Sequence, residues 1–244
     1  CLMKNKIILG DCLEVMKTIK DNSIDAIITD PPYGTTACKW DSVIDFDLMW
    51  EQLNRIIKPN GAIVLFGSEP FSSALRMSNI KNYKYDWTWI KENGTGFLNS
   101  KKQPLRNNEQ ISVFYKKQCT YNPQMIGNEK RIVKRKNKPQ TTDNYGFSMQ
   151  PTESVYYGRY PNNTLIFKRD NNKQHPTQKP IELMEYLIKT YTNENETVLD
   201  FTMGSGSTMV AAQNLKRNGI GIEQDEKYFK IAEQRIKENE FKLF

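Results

Sequence analysis

The strongest constraint on the fold is a pattern near the carboxyl end of the chain, where a strand, a glycine-rich turn, a helix and a second strand follow one another. In the printed sequence these parts are residues 196–200, 201–207, 208–215 and 219–223. The turn holds Gly204 and Gly206, and the second strand ends at Glu223. This order is the plan of a Rossmann unit, where glycines let a ligand approach the backbone and the acid can bind ribose hydroxyls. The pattern therefore predicts an α/β fold with a nucleoside-binding site.

The spacing of the glycines selects among nucleoside ligands. Proteins that bind dinucleotides carry a third glycine, in the pattern GxGxxG, beside the pyrophosphate. Here Val210 or a neighbour occupies that third position. A ligand with a ribose but no pyrophosphate therefore fits better than NAD, and we infer S-adenosylmethionine as the cofactor. The alternative is a glycine turn that only begins a helix.

A second candidate site follows the buried strand predicted at residues 24–28. The sequence continues Thr29-Asp30-Pro31-Pro32-Tyr33-Gly34, and the two prolines disfavour a helix and remove two backbone donors. Ligands of open α/β sheets bind at the carboxyl ends of the strands. Asp30 and the Pro31 carbonyl can each accept one N–H bond of an exocyclic amine, and Tyr33 can stack on its ring. An ordinary strand-ending turn is the alternative interpretation.

The remaining hydrophobic patterns predict the elements around these two loops. We expect further strands at residues 6–9, 62–66, 85–90 and 110–115, and helices at residues 45–58, 70–80 and 181–191. Asp11 is placed to cap a first helix, and an amphipathic helix ends the chain. We predict that the strand ending at Glu223 lies beside strand 6–9, with Asp30 and Asp200 on one edge of the sheet. The Gly-, Asn-, Ser- and Lys-rich stretch 91–108 predicts a mobile loop near the site.

The charge of the chain favours a polyanionic partner. Its 244 residues carry a formal net charge of +7. Within residues 116–169 basic side chains crowd together, namely Lys130, Arg131, Lys134, Arg135, Lys136 and Lys138. Aromatic side chains accompany them, namely Tyr121, Tyr145, Phe147, Tyr156, Tyr157 and Tyr160. This combination predicts contact with nucleic acid, against the alternative of a solvated basic loop.

Cysteine and histidine usage narrows the chemistry. The four cysteines are scattered, which is typical of a reduced cytoplasmic protein, and no run is long enough for a membrane span. His175 is the only histidine, which argues against a histidine-rich metal site. We therefore expect no metal and no membrane partner.

Together, Asp30-Pro31-Pro32-Tyr33 and residues 200–206 resemble the amino-methyltransferases of DNA. These enzymes transfer methyl from S-adenosylmethionine to N6 of adenine or N4 of cytosine. The target motif comes first, a basic variable region next and the cofactor glycines last, which is similar to the circularly permuted β group. The motif His-Pro-Thr-Gln-Lys-Pro at residues 175–180 matches that group too, and the resemblance covers nearly the whole chain.

The resemblance implies a Rossmann-like methyltransferase fold with a seven-stranded, mostly parallel sheet. It implies a catalytic domain of residues 1–115 and 171–244, and a target-recognition insertion of residues 116–170. At the target base it places the catalytic residues Asp30, Pro31, Pro32 and Tyr33. At the cofactor it places Asp11, Cys12, Asp30, Thr177, Lys179, Asp200, Phe201, Thr202, Gly204, Gly206, Thr208 and Glu223.

Within the cofactor set the resemblance assigns separate roles. Glu223 would bind the ribose, Asp11 and Cys12 would lie at the adenine, and Thr177 and Lys179 would approach the carboxylate. Around the methionine part it places Asp200, Gly204, Gly206 and Thr208. The chain departs from the family at one point, because Phe201 stands one place early and Thr202 occupies the usual aromatic position.

The implied activity is methylation of the N6 amine of an adenine flipped out of double-stranded DNA. A leading Asp leans toward adenine within the family, so methylation of cytosine N4 stays an alternative. Methylation of cytosine C5 needs a Pro-Cys dipeptide, which this chain lacks. A glutamine methyltransferase would carry Asn first and the cofactor motif upstream. From another class, a DNA-binding subunit without catalysis is the alternative. The resemblance also allows a homodimer, a cognate restriction endonuclease, and a bacterial or phage origin.

Overall fold

The computed structural model describes residues 5–35, 42–134, 140–142, 146–148, 153–170 and 178–242. The helices are α1 (Cys12–Lys17), α2 (Phe46–Ile56), α3 (Phe71–Ser78), α4 (Ile181–Tyr191), α5 (Ser207–Asn214) and α6 (Glu226–Lys242), with a short 3₁₀ helix at Phe97–Asn99. The strands are β1 (Asn5–Leu9), β2 (Ile24–Thr29), β3 (Ile57–Gly67), β4 (Tyr83–Thr95), β5 (Arg106–Phe114), β6 (Ile126–Lys134), β7 (Gln140–Thr142), β8 (Gly146–Ser148), β9 (Glu153–Arg159), β10 (Thr164–Ile166), β11 (Thr197–Asp200) and β12 (Asn218–Glu223).

Both ends of the chain contribute strands to one sheet, whose strand order is β1-β12-β11-β2-β3-β5-β4-β10. β12 pairs in parallel with β1, so that Leu9 lies opposite Glu223, and β11 pairs in parallel with β2. β5 is antiparallel to both of its neighbours. The prediction that strand 219–223 lies beside strand 6–9 is confirmed. Asp200 and Asp30 therefore follow neighbouring parallel strands and share one edge of the sheet.

The described part of the sheet has eight strands, and the expected number of seven is wrong. The eighth strand is β10, which pairs with β4 and places Leu165 opposite Trp89. Leu165 is buried in this position. Three residues are too short for a periodic pattern, so only the pairing with β4 reveals this strand.

The sheet is covered on both faces, as a doubly wound fold requires. In β2 Ile27 packs with α2 and α3 on one face, whereas Ile28 packs with α4 and α5 on the other. The two layers contribute buried apolar side chains such as Leu53 and Leu187. This double burial explains why the central strands are continuous apolar runs without alternation.

The stretch 91–108, which we expected to be a mobile loop, lies in the sheet at both of its ends, while residues 96–105 connect the two strands. β4 and β5 extend to Thr95 and from Arg106, and these two residues pair with each other. Antiparallel pairing satisfies the backbone groups whatever the side chains are, so polar composition did not exclude a strand here. The longer β4 and β5 place Lys91 and Glu109 within the sheet.

The chain divides into two compact units. One contains residues 1–122 and 163–244, and the other contains residues 123–162. The second unit is therefore narrower than the insertion expected at residues 116–170. Its described strands form two antiparallel pairs, β6 with β9 and β7 with β8. The flanking residues belong to the larger unit, since Cys119 is buried in its core and β10 lies in its sheet. That the second unit recognises the target stays a prediction, and Arg135, Lys136, Lys138 and Tyr145 lie outside the described residues.

Among the described residues, no helix combines the length and the apolar character that crossing a membrane requires.

Candidate active site

A cavity of about 280 Å³ lies at the edge where the parallel strands end. The loops after β1, β2, β11 and β12 form its walls, together with residues just before α4. Most of the site residues expected from the sequence line it, namely Asp11, Cys12, Asp30, Pro31, Pro32, Tyr33, Lys179, Asp200, Phe201, Thr202, Gly204, Thr208 and Glu223. Gly206 lies in the same turn but outside the lining, and Thr177 falls outside the described residues. The structure thus brings residues from both ends of the chain to one cavity.

The loop after β2 holds the Asp30 carboxylate in a fixed network. The Tyr33 hydroxyl donates a hydrogen bond to one oxygen, and the Lys179 ammonium contacts the other. Burial raises the pKa of Asp30, while the charge of Lys179 opposes that rise. The side chain therefore has two partners that favour its ionised form as an acceptor.

Tyr33 has a packing partner as well as a hydrogen bond. Its ring stacks on Phe71, at the start of α3, with the ring centroids 5.0 Å apart. The hydroxyl bond to Asp30 and the Phe71 contact fix the ring at the cavity wall. Sequence reasoning assigned Tyr33 to the target base, and it did not find these two contacts.

Thr202 joins the two loops that the sequence singled out. Its hydroxyl donates to the backbone carbonyl of Asp30 over 3.0 Å, and its N–H donates to the Asp200 carboxylate over 3.2 Å. Both Phe201 and Thr202 line the cavity, although Phe201 is almost wholly buried in the core beneath it. Because Thr202 rather than an aromatic residue occupies the usual aromatic position, the site has a polar link between the Asp30 loop and the glycine turn.

Asp200 organises the glycine turn from a buried position. The hydroxyls of Thr29 and Thr208 donate to its two oxygens. Burial is the main cause that raises the pKa of Asp200 to about 6, and these hydrogen bonds oppose the rise. The carboxylate therefore ties β2, the turn and α5 together.

Glu223 closes the other side of the turn. Its carboxylate accepts the N–H of Gly204 over 2.9 Å and the N–H of Asp225 over 2.8 Å. A carboxylate has about four acceptor positions, so Glu223 keeps capacity for ligand hydroxyls. Burial raises the pKa of Glu223, and the backbone donors act against that effect.

Asp11 and Cys12 form the wall beneath β1. Asp11 caps α1, as predicted, because its side chain accepts the N–H of Leu13 over 2.9 Å and of Glu14 over 3.1 Å. Burial, with the nearby Asp11 charge, raises the pKa of the Cys12 thiol to about 12. The thiol therefore stays protonated at neutral pH and acts as a small apolar surface rather than a nucleophile.

Lys179 lies deeper than its expected role at the cofactor carboxylate suggests. Its ammonium lies between Asp30 and Glu109, with 3.3 Å to Glu109 Oε2. Glu109 in turn pairs with Lys91. Lys179 also lines the cavity, so contact with a ligand carboxylate stays a prediction.

Sequence reasoning missed several residues that hold the site together, namely Thr29, Lys91, Glu109, Gln178 and Arg235. Arg235 of α6 donates to the Ser205 carbonyl over 2.6 Å, and the Ser205 hydroxyl donates to Gln178 over 3.2 Å. Thr29 and Gln178 stand within the motifs quoted above, but without an assigned role. Each of these side chains acts on a segment distant in sequence, so no local pattern shows its contacts.

The cavity fits the inferred cofactor. Free acceptor capacity at Glu223 suits ribose hydroxyls, and Gly204 has a positive φ of 52° that brings its backbone to the wall. Both apolar and polar side chains line the cavity, as an amphiphilic nucleoside requires. Among the described residues, no cluster of three or more His, Cys, Asp or Glu side chains could hold a metal ion.

Gly206 tests how far the turn depends on glycine. Its φ is +80°, and a Cβ atom would lie 3.0 Å from Cβ of Ala232 in α6. We expect Gly206→Ala to lower the free energy of unfolding by about 1–2 kcal/mol from the left-handed backbone, with an added cost from Ala232. Urea unfolding measures this. Gly96→Ala is the control, since Gly96 has a φ of +90° and nothing within 4 Å. Equal losses in both variants would contradict a packing role for Gly206.

Comparison with known proteins supports this picture. The family model described as DNA methylase, N6_N4_Mtase, matches residues 24–234. The type II methyltransferase M.HpaI of Haemophilus parainfluenzae is 29% identical over 99% of this chain and 77% of its own length. The type II methyltransferase M.HinfI of Haemophilus influenzae is 28% identical over 96% of this chain and 68% of its own length.

Solved structures agree in fold. The M1.HpyAVI–SAM complex has 30% sequence identity and a TM-score of 0.64, covering 95% of this chain and all of that one. The PvuII DNA methyltransferase, described as cytosine-N4-specific, has a TM-score of 0.68 with 16% identity, covering 99% of this chain and 93% of that one. At that identity the second similarity shows the fold alone.

Proposed function

The chain belongs to the N6/N4 DNA methylase family, and we propose that it transfers methyl from S-adenosylmethionine to N6 of an adenine flipped out of duplex DNA. The main support for this function is the cavity at which the Asp30 loop meets the glycine turn, where a hydrogen bond from Thr202 joins the two. One wall can hold a nucleoside and the other can hold an exocyclic amine. A donor and an acceptor of a methyl group would therefore meet in one enclosed place.

Adenine is preferred as the target because the motif begins with Asp30. Within the family a leading Asp leans toward adenine, and the Asp30 carboxylate would accept a strong, charge-assisted hydrogen bond from the amine. Cytosine N4 is the second candidate, since its exocyclic amine offers the same two N–H groups. A homodimer and a cognate restriction endonuclease stay predictions from the sequence.

The lone pair of the exocyclic amine nitrogen is delocalised into the base, and methyl transfer requires that it become available. Asp30 and the Pro31 carbonyl would accept the two N–H bonds of the amine and favour a pyramidal nitrogen. The charge of Lys179 favours the ionised form of Asp30 against the effect of burial on its pKa, and the Tyr33 hydroxyl orients the carboxylate. When bound, S-adenosylmethionine supplies an electrophilic methyl group on a positively charged sulfur. Positioning and electrostatics then provide most of the rate enhancement.

The cofactor wall would hold the nucleoside by its sugar and its base. Glu223 would accept ribose hydroxyls, while Asp11 and the Cys12 surface would border the adenine. Asp200 would act mainly by holding the turn, since its oxygens already accept the hydroxyls of Thr29 and Thr208. The target adenine would bind at the opposite wall, beside Asp30, and it must leave the base stack to reach that wall.

Methylation of an unmodified plasmid tests the proposal. The purified protein and S-adenosylmethionine are incubated with the plasmid, and mass spectrometry of the nucleosides identifies the product, with sequencing of modified bases to find the site. N6-methyladenine supports the proposal, and N4-methylcytosine supports the second candidate. DNA binding without methylation would support a catalytically silent subunit.

The basic strand β6 should contact phosphates. Lys130, Arg131 and Lys134 are exposed on it or nearly so, and each neutralised phosphate releases counterions. We expect replacement of all three by Gln to weaken DNA binding for every sequence and to reduce the salt slope by about 1 per lost contact. Fluorescence anisotropy on a labelled duplex at several salt concentrations measures both.

Exposed lysines at the far ends of helices serve as the control for this variant. Lys17, Lys20 and Lys189 lie toward the edge of the sheet opposite the cavity. Their replacement by Gln removes the same charge and should change the salt slope less. Equal effects of the two triple variants would show that only net charge matters.

A further inference from the structure

Four charged side chains, two of them buried and two half-buried, continue from the cavity into the sheet. Asp30 contacts Lys179, Lys179 lies 3.3 Å from Glu109 Oε2, and Oε1 of Glu109 pairs with Lys91. Carboxylate and ammonium groups therefore alternate along the row. The side chains of Lys91 and Lys179 are each 8% exposed and that of Glu109 is 14% exposed. This degree of burial is unusual for Lys and Glu, which are almost never buried without partners.

The fold, rather than any local motif, aligns these groups. Glu109 lies opposite Trp89 in the β4–β5 pair, and Lys91 is two residues beyond Trp89 on the same face. The ammonium of Lys91 lies 5.4 Å from the Trp89 ring, and that of Lys179 lies 5.0 Å from the Phe66 ring. These two buried rings exclude water from one side of each ammonium group, so each ammonium depends on its carboxylate partners for stabilisation of its charge.

Glu109 has one oxygen committed to each lysine. Oε1 accepts a hydrogen bond from Lys91, whereas Oε2 has Lys179 as its near charge and no hydrogen bond of good geometry within the described residues. The carboxylate therefore spans the two cations. Removing it would leave Lys179 with Asp30 alone.

The ionisation of these groups is linked. The charges of Asp30 and Glu109 raise the pKa of Lys179 against the effect of burial. Lys179 and Lys91 lower the pKa of Glu109. The charged and titratable groups that face this cluster are Asp30 and Tyr33 from the β2 loop, Lys91 from β4, Glu109 from β5, Arg169 beyond β10 and Asp200 from β11.

We propose that Glu109 is a positioning residue for methyl transfer, which holds the Lys179 ammonium against Asp30 so that Asp30 stays ionised and oriented toward the target amine. This inference rests on the proposed function, since it concerns the residue that would bind that amine. Glu109 itself would touch neither substrate nor cofactor. Its effect passes through Lys179.

Glu109→Gln keeps the size of the side chain and removes its charge. We expect kcat to fall by about 10- to 100-fold, while the Kd for S-adenosylmethionine and the KM for DNA change little. We also expect the alkaline limb of the pH profile to move to lower pH than in the wild-type protein, because Lys179 would release its proton more readily without Glu109. Initial rates across pH, with calorimetry of cofactor binding, measure these effects.

Two further variants separate positioning from general stability. Lys91→Met removes a cation from the same group of charged side chains. In this variant the alkaline limb of the pH profile should not move to lower pH. Glu92→Gln is the matched surface control, since Glu92 is exposed and its ion pair with Lys168, at 3.7 Å, lies at the surface. Glu109→Asp keeps the charge on a shorter side chain, so its kcat should lie between those of the wild-type protein and Glu109→Gln. If Glu109→Gln fails to fold, a kcat of Glu109→Asp equal to that of the wild-type protein would count against the inference.

Nitrogen NMR of the lysine ammonium groups gives a readout that does not need activity. The signal that disappears in Lys179→Met is assigned to Lys179. This ammonium signal should persist to higher pH in the wild-type protein than in Glu109→Gln. An inactive wild-type protein would refute the proposed function, and the NMR comparison would then decide the Glu109–Lys179 dependence by itself. Unchanged kcat, pH profile and ammonium signal in Glu109→Gln would overturn the inference.

Discussion

Replacing Asp30 with alanine should abolish methyl transfer to DNA and leave the affinity for S-adenosylmethionine almost unchanged. In the proposed function the carboxylate would accept a hydrogen bond from the target amine, and Tyr33 and Lys179 already hold it in place. Loss of one preorganised electrostatic group costs about 10²- to 10³-fold in kcat, and here the lost group also orients the base. Transfer of radioactive methyl to plasmid DNA and calorimetry with the cofactor measure the two quantities.

The control for this prediction is Asp21→Ala. Asp21 is exposed, pairs with Arg55 and lies ahead of β2, away from the cavity. Asp30→Asn adds a variant of nearly the same size that lacks the charge. Retained activity in Asp30→Asn would show that orientation alone matters, and a large loss of cofactor affinity in Asp30→Ala would refute the division of labour between the two walls.

Glu223→Ala should weaken S-adenosylmethionine binding by about 10- to 100-fold. A hydrogen bond to a charged group contributes about 1.5–3 kcal/mol, and each 1.4 kcal/mol is about tenfold in Kd. The same change removes the acceptor for the Gly204 and Asp225 N–H groups, so the turn should also loosen. Calorimetry gives the Kd, and thermal unfolding without cofactor gives the cost to the turn.

Glu226→Ala serves as the comparison, because Glu226 follows three residues later and forms its ion pair with Lys230 at the surface. DNA affinity in the absence of cofactor should stay the same in both variants. Asp200→Ala should likewise weaken cofactor binding, through loss of the bonds to Thr29 and Thr208. Cofactor affinity that is unchanged in Glu223→Ala would assign the ribose to another side chain.

Local patterns in the sequence were sufficient where one segment determines its own structure. The glycine turn, the Asp11 cap and the apolar central strands each follow from residues close together in the chain. The order of the two loops predicted that β12 would lie beside β1, and the pairing of Leu9 with Glu223 confirms it. Backbone geometry and burial of apolar surface are short-range or non-specific effects, so a sequence pattern carries them.

Two features of the sheet could not be found this way. The two ends of the polar stretch 91–108 join the sheet because β4 and β5 pair with each other, and the short strand β10 exists because β4 offers an open edge. Both depend on a partner strand rather than on composition. The narrower second unit, residues 123–162, follows from the same pairing of β10.

The sequence by itself determined the fold class, the cofactor class and the two loops that border the cavity, because these depend on residue types at fixed local spacing. Only the tertiary structure decided how the charges are paired. Lys179 is 149 residues from Asp30 in the chain, and Glu109 and Lys91 reach the pair from two further strands. Electrostatic interactions depend on distance in space and on exclusion of water, and neither quantity is written in the order of the residues.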